Sequence, residues 1–167
     1  MTTKTRFALA LGLLVMAIAG YALWHSQRPV VPVASYTTLD GRSGSIAGLR
    51  GKVVLVNFWA TSCPGCMQEM PDLMRVHQKF KPQGYETLAV AMSYDVPVYI
   101  RTYRQRAQLP FVVTHDQSGA IATAFGDVML TPTSFLLDKR GAVIMKYVGV
   151  PDMAELEAQI GKALRAS

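Results

Sequence analysis

The only two cysteines in the chain stand as Cys63-Pro64-Gly65-Cys66, immediately behind the apolar run Val53–Trp59 (VVLVNFW). This junction constrains the fold more than any other stretch. A β-branched and aromatic run with almost no polar interruption reads as a strand covered on both faces. From Pro64 to Phe80 the apolar positions Met67, Met70, Leu73, Met74 and Val76 follow a helical spacing instead. Pro64 suits the first helical turn, where its missing N–H has no intrahelical partner to lose. Pro71 lies inside the pattern and is expected to kink it.

The dithiol therefore lies where a buried strand hands over to a helix. A thiolate is the nucleophile of disulfide exchange, and the unpaired N–H groups at a helix N-terminus stabilise it. Cys63 is thus the expected nucleophile, and Cys66, a turn deeper, the thiol that resolves the mixed disulfide. Two blander readings compete with a redox-active Cys63–Cys66 pair. An inert bridge across so short a loop would constrain the unfolded chain little. A metal would need two further ligands, and His25, His77 and His115 fall at unpatterned distances. The motif's context favours redox chemistry with no metal.

Downstream, Thr87–Met92 reads as a second buried strand, Val98–Ala107 as a helix, Phe111–Thr114 as a short strand and Ala120–Phe125 as a short helix. Arg101, Arg104 and Arg106 are expected on a solvated helix face. Two strands, Thr133–Leu137 and Ala142–Val148, flank the turn-like tetrad Asp138-Lys139-Arg140-Gly141 and suit a hairpin. Asp152 can cap a last helix reaching Arg165, with Leu156, Ile160 and Leu164 on one face. Strand and helix alternating, then hairpin and helix, imply an α/β domain with a central mixed sheet flanked by helices.

The N-terminus is of another kind. Phe7–Trp24 is uncharged and apolar, near the short end of the roughly 17–25 residues that span a bilayer as a helix. Lys4 and Arg6 precede it, which places the N-terminus in the cytoplasm and the remainder outside. Ala17-Ile18-Ala19 also fits a small-x-small cleavage site, but apolar character continues past it to Trp24, which favours an uncleaved transmembrane anchor over a removed signal. The expected organisation is an anchor over residues 1–26, a proline-containing tether over 27–34 and one domain over 35–167. Although the chain carries a net charge of +6, it has no basic stripe, so no nucleic-acid partner is expected.

The stretch Gly51–Cys66 (GKVVLVNFWATSCPGC), its continuation Met67-Gln68-Glu69-Met70-Pro71, and Thr131–Asp138 (TPTSFLLD) with Gly141 resemble the TlpA/ResA-like branch of the thioredoxin superfamily, with a redoxin-type domain. The resemblance implies a thioredoxin-like fold and a membrane-anchored thiol–disulfide oxidoreductase of the bacterial envelope. Its catalytic domain would be periplasmic, and it would need no dissolved cofactor. Pro132 matches the family's cis-proline, whose loop faces the dithiol, and Thr131 would offer backbone groups to substrate. Trp59 matches the aromatic ahead of the motif, a substrate-side position that also suits core packing. Ser62 departs from the branch, which commonly has tryptophan there, and is expected to cap the helix instead. Asn57 stands where thioredoxin proper has a buried aspartate that aids proton transfer to the second cysteine, which an amide cannot do. Glu69, three residues past the motif as in the branch, shares a helix face with Cys66 and is the candidate proton acceptor. The rival reading makes it a first-turn acid serving the helix dipole.

The resemblance implies exported disulfide or dithiol substrates, among them cysteines of cytochrome c precursors and of copper-site proteins. A membrane thiol–disulfide donor would supply electrons. Three other readings use the same fold. A dithiol oxidase would run the exchange backwards. A peroxidase would place threonine three residues before its reactive cysteine, where Ala60 stands, with Thr61 one place off. A copper-handling chaperone would recruit a histidine, of which His115 is the candidate.

Overall fold

A computed structural model describes residues 32–166 together with residues 12, 15–17 and 20. The chain divides into two units, Met1–Val30 and Val31–Ser167. The described residues of the first are helical. Most of the expected anchor, and residues 27–31 of the expected tether, lie outside the described residues. Among the described residues, no helix is long and apolar enough to cross a membrane.

In the second unit, strands β1 (Ser35–Thr37) and β2 (Ser43–Ser45) form a small antiparallel hairpin, which the sequence reading did not anticipate. The central sheet contains β3 (Val53–Trp59), β4 (Tyr85–Ala91), β5 (Val112–His115), β6 (Thr133–Leu137) and β7 (Val143–Val148) in the order β5-β4-β3-β6-β7. The neighbours β3/β4 and β4/β5 are parallel, while β6 is antiparallel to both β3 and β7. This is a mixed sheet of thioredoxin-like topology. Four helices complete the unit: α1 (Pro64–Phe80), α2 (Pro97–Ala107), α3 (Ala120–Ala124) and α4 (Met153–Arg165).

All seven residues of β3 are buried, and successive side chains feed two separate cores. Val53, Leu55 and Trp59 face α1, α2 and α4, where they meet Met70, Leu73, Ile100, Leu156 and Ile160. Val54, Val56 and Phe58 face the opposite side, with Ile46, Ile121 and Phe125. Each such aliphatic or aromatic side chain stabilises by roughly 1.5–3 kcal/mol relative to exposure. Asn57 interrupts this strand on the α1 face, so its amide is aimed at the motif helix.

Helix α1 runs unbroken from Pro64 to Phe80 with Pro71, which is exposed, inside it. Its N-cap is Cys63, whose sulfur accepts from the Cys66 N–H at 3.2 Å. Ser62 is exposed and does not cap the helix, because the chain becomes helical one residue later than a Ser62 cap requires. Asp152 caps α4 as expected, accepting from the Glu155 N–H at 2.9 Å. Arg104 is not simply solvated: it grips the Asp40 carboxylate through two nitrogens at 2.5 and 2.7 Å, tying α2 to the loop between β1 and β2. That hairpin lies along β5, with Thr38 bridging to Thr114 and the Leu39 N–H donating to the Val113 carbonyl at 3.1 Å.

Candidate active site

The site begins at the C-terminal end of β3. A turn closes when the Cys63 N–H donates to the Ala60 carbonyl at 3.1 Å, and α1 starts at the next residue. Cys63 and Cys66 are joined by a disulfide, with their Cα atoms 5.3 Å apart. Cys63 is partly exposed and Cys66 fully buried, so an incoming group meets the Cys63 sulfur first. The approach is bounded by the Thr131–Pro132 peptide, which is cis. A methyl group built on Gly65 would come 3.4 Å from Pro132 Cδ and 3.5 Å from Val150 Cγ2, so the motif and this loop are in close apposition. Thr131 is partly exposed and Pro132 buried. Ahead of them in the chain Met129 and Leu130 are 81% and 65% exposed.

Beneath Cys66 lies a polar group inside the apolar core. Glu69 is 0% exposed, and its Oε1 accepts from Asn57 Nδ2 at 2.7 Å. The same amide nitrogen donates to Ser134 Oγ at 3.0 Å, across the β3/β6 pairing that sets Asn57 opposite Ser134. Among the described residues, Asn57 Oδ1 and Glu69 Oε2 find no hydrogen-bond partner. Burial lifts the Glu69 carboxyl to about 7, only partly offset by the Asn57 hydrogen bond. Glu69 lies past the first turn of α1, which holds no acidic residue, and it is buried. Asn57 offers no basic oxygen, and its amide nitrogen holds the Glu69 carboxyl group.

The remaining candidates separate. Trp59 is 0% exposed and packs on Tyr103, ring centroids 5.5 Å apart. It supports the motif from within, and a direct substrate contact does not fit that burial. His77 is buried on α1, with Nδ1 3.2 Å from Thr87 Oγ1. His115 ends the edge strand β5, two strands from the one that leads into the motif, and lines a separate open pocket of about 710 Å³ with Arg101 and Asp116.

Residues missed from the sequence are Ser134, Tyr94 and Asp95. Asp95 is buried and accepts from the Thr61 N–H at 2.7 Å and the Thr61 hydroxyl at 2.6 Å. The one signal for it was an acid three residues past the expected second strand, which ends at Met92.

A helix-capping dithiol on this sheet, faced by a cis-proline, defines a thioredoxin-like thiol–disulfide oxidoreductase. The model of the Redoxin family matches residues 27–161. ResA, a thiol–disulfide oxidoreductase of Bacillus thuringiensis subsp. konkukian, is 33% identical over 126 residues, which cover 75% of this chain and 72% of the relative. ResA of Geobacillus kaustophilus is 29% identical over 160 residues, covering 90% of this chain and 91% of the relative. Among solved structures, a thioredoxin-family thiol:disulfide interchange protein of Chlorobium tepidum superposes with a TM-score of 0.74 at 30% identity, covering 82% of this chain and 97% of its own. The chain belongs to the Redoxin family and, within it, to the ResA/TlpA-like thiol–disulfide oxidoreductases.

Proposed function

We propose that this protein reduces disulfides of exported proteins on the outer side of the bacterial inner membrane, with residues 7–24 as its anchor. The observation that carries the reading is the asymmetry of the dithiol: Cys63 partly exposed at the cap of α1, Cys66 buried one turn on. In the reduced protein the Cys63 thiolate attacks a substrate disulfide, forming a mixed disulfide and releasing one substrate thiolate. Cys66 then attacks the Cys63 sulfur, the second substrate thiolate leaves, and the Cys63–Cys66 disulfide remains. Two electrons pass to the substrate, and a membrane thiol donor restores the dithiol. Glu69 accepts the Cys66 proton, since it lies on the same helix face and its raised carboxyl titrates near neutrality. Thr131 and Pro132 support an extended substrate backbone opposite Cys63.

Cys66→Ser should accumulate mixed disulfides at Cys63, and equal trapping by Cys63→Ser would overturn the assignment. The direction of flow is read from the potential. A reductant lies well below about −180 mV, whereas a value near −120 mV would make the protein a dithiol oxidase.

A further inference from the structure

The turn that presents Cys63 and the loop that carries Pro132 belong to distant parts of the chain, and both are held by the segment following β4. That segment is itself anchored. The Met92 N–H donates to the Trp59 carbonyl at 2.9 Å, and the Asp95 N–H donates to the Met92 carbonyl at 3.0 Å. Asp95 is 6% exposed, and its carboxylate accepts from the Thr61 N–H at 2.7 Å, the Thr61 hydroxyl at 2.6 Å and the Val96 N–H at 2.8 Å. Hydrogen bonds to a charged acceptor are roughly twice as strong as neutral ones. Thr61 lies within the turn closed by the Ala60–Cys63 bond, so fixing Thr61 fixes the residue that bears the reactive sulfur. On the other side, the Tyr94 hydroxyl lies 3.2 Å from Thr131 Oγ1. Pro132 in turn abuts Gly65. The contacts form a closed circuit through the Cys63 turn, Asp95, Tyr94, Thr131, Pro132 and back to the motif.

We propose that Tyr94 and Asp95 are a positioning pair that sets the spacing between the Cys63 turn and the cis-proline loop, and thereby selects extended peptide disulfides over small ones. This inference rests on the preceding reading, in which an extended backbone lies between Cys63 and Pro132. A small disulfide needs only access to the Cys63 sulfur. An extended one must meet the sulfur and the Thr131–Pro132 backbone together, so a shift of either wall is felt by it alone. Displacements of about 1 Å can change rates by as much as about 100-fold. The expectation here is smaller, because Cys63 still caps α1 and only one of several contacts is removed at a time.

The test compares single-turnover reduction of a peptide disulfide with that of dithiobis(nitrobenzoate) by the full chain, which is reduced beforehand with dithiothreitol and freed of it. Asp95→Asn and Thr61→Val should each raise the half-saturating peptide concentration by about 5-fold to 20-fold, with a much smaller change in rate towards dithiobis(nitrobenzoate). Thr61→Ser, which keeps the hydroxyl, should restore the parental ratio. Tyr94→Phe alters an exposed side chain and leaves the buried carboxylate intact, so it tests the second arm even where Asp95→Asn fails to fold. Its expected effect is about 3-fold to 5-fold on the same ratio. Equal loss towards both disulfides, or none towards either, would overturn the proposal and leave Asp95 a fold-supporting residue. A parental chain that reduces neither compound would instead sink the proposed function itself.

Discussion

Glu69 occupies a place where its charge is costly, with Asn57 as its only hydrogen-bond donor among the described residues and core side chains around it. Its carboxyl titrates near 7 in the folded chain against 4.5 as the ordinary value. The unfolded chain therefore loses this proton first as pH rises. Stability falls between about pH 4.5 and 7 and stays lowered above that, by roughly 3 kcal/mol. Glu69→Gln keeps an acceptor for Asn57 and removes the charge. It should gain about 1–3 kcal/mol at pH 8 and almost nothing at pH 4, measured by denaturant unfolding of the oxidised protein. The same variant should reduce a peptide disulfide about 10-fold to 100-fold more slowly, with a displaced pH profile. His77 acts at the opposite end of the scale. Burial holds its imidazole below the ordinary value of 6.5, despite the nearby Glu86. The unfolded chain thus binds the proton first as pH falls, and stability is lost below about pH 6.5 towards the lower folded value. His77→Gln should flatten that acid limb in a series of thermal melts. Cys63, Cys66 and the lone polar residue in VVLVNFW were legible from sequence, because each breaks a local pattern. Ser134 was not, since a serine in a β-rich segment gives no sign of its cross-strand neighbour.

At the scale of elements, the large strands and helices were legible to within one or two residues wherever burial imposed a period. β3 matched at both ends, while β4 begins at Tyr85 rather than Thr87 because Tyr85 and Glu86 already pair with Val53 and Val54. The β1–β2 hairpin escaped notice because its three-residue strands, SYT and SGS, have no apolar alternation to read. Their order comes from tertiary contacts, above all the Arg104–Asp40 pair and the bond from Thr114 Oγ1 to the Thr37 carbonyl at 2.7 Å. Exposed ion pairs contribute little to global stability. Arg104→Ala should leave the melting temperature almost unchanged while speeding amide hydrogen exchange at Thr38 and Leu39, a local opening that exchange measurements resolve.

On the scale of the whole molecule, both hydrophobic clusters draw their buried residues from Ile46 to Ala163, within the unit Val31–Ser167. That unit has the core to fold without the first thirty residues. The full chain should remain in the membrane fraction after carbonate extraction, and a soluble mature form starting near Gly20 would show instead that the apolar segment is removed. The hairpin matters again at this scale. Parallel strands β3, β4 and β5 end in a row of backbone groups that would otherwise be open on the outer side of β5, and residues 37–39 lie along that row. An unguarded strand edge is a template for another chain, and Val112–His115 (VVTH) is rich in strand-forming residues. A chain trimmed up to residue 46 would keep the dithiol, Glu69 and the cis-proline loop, yet become prone to edge-to-edge aggregation.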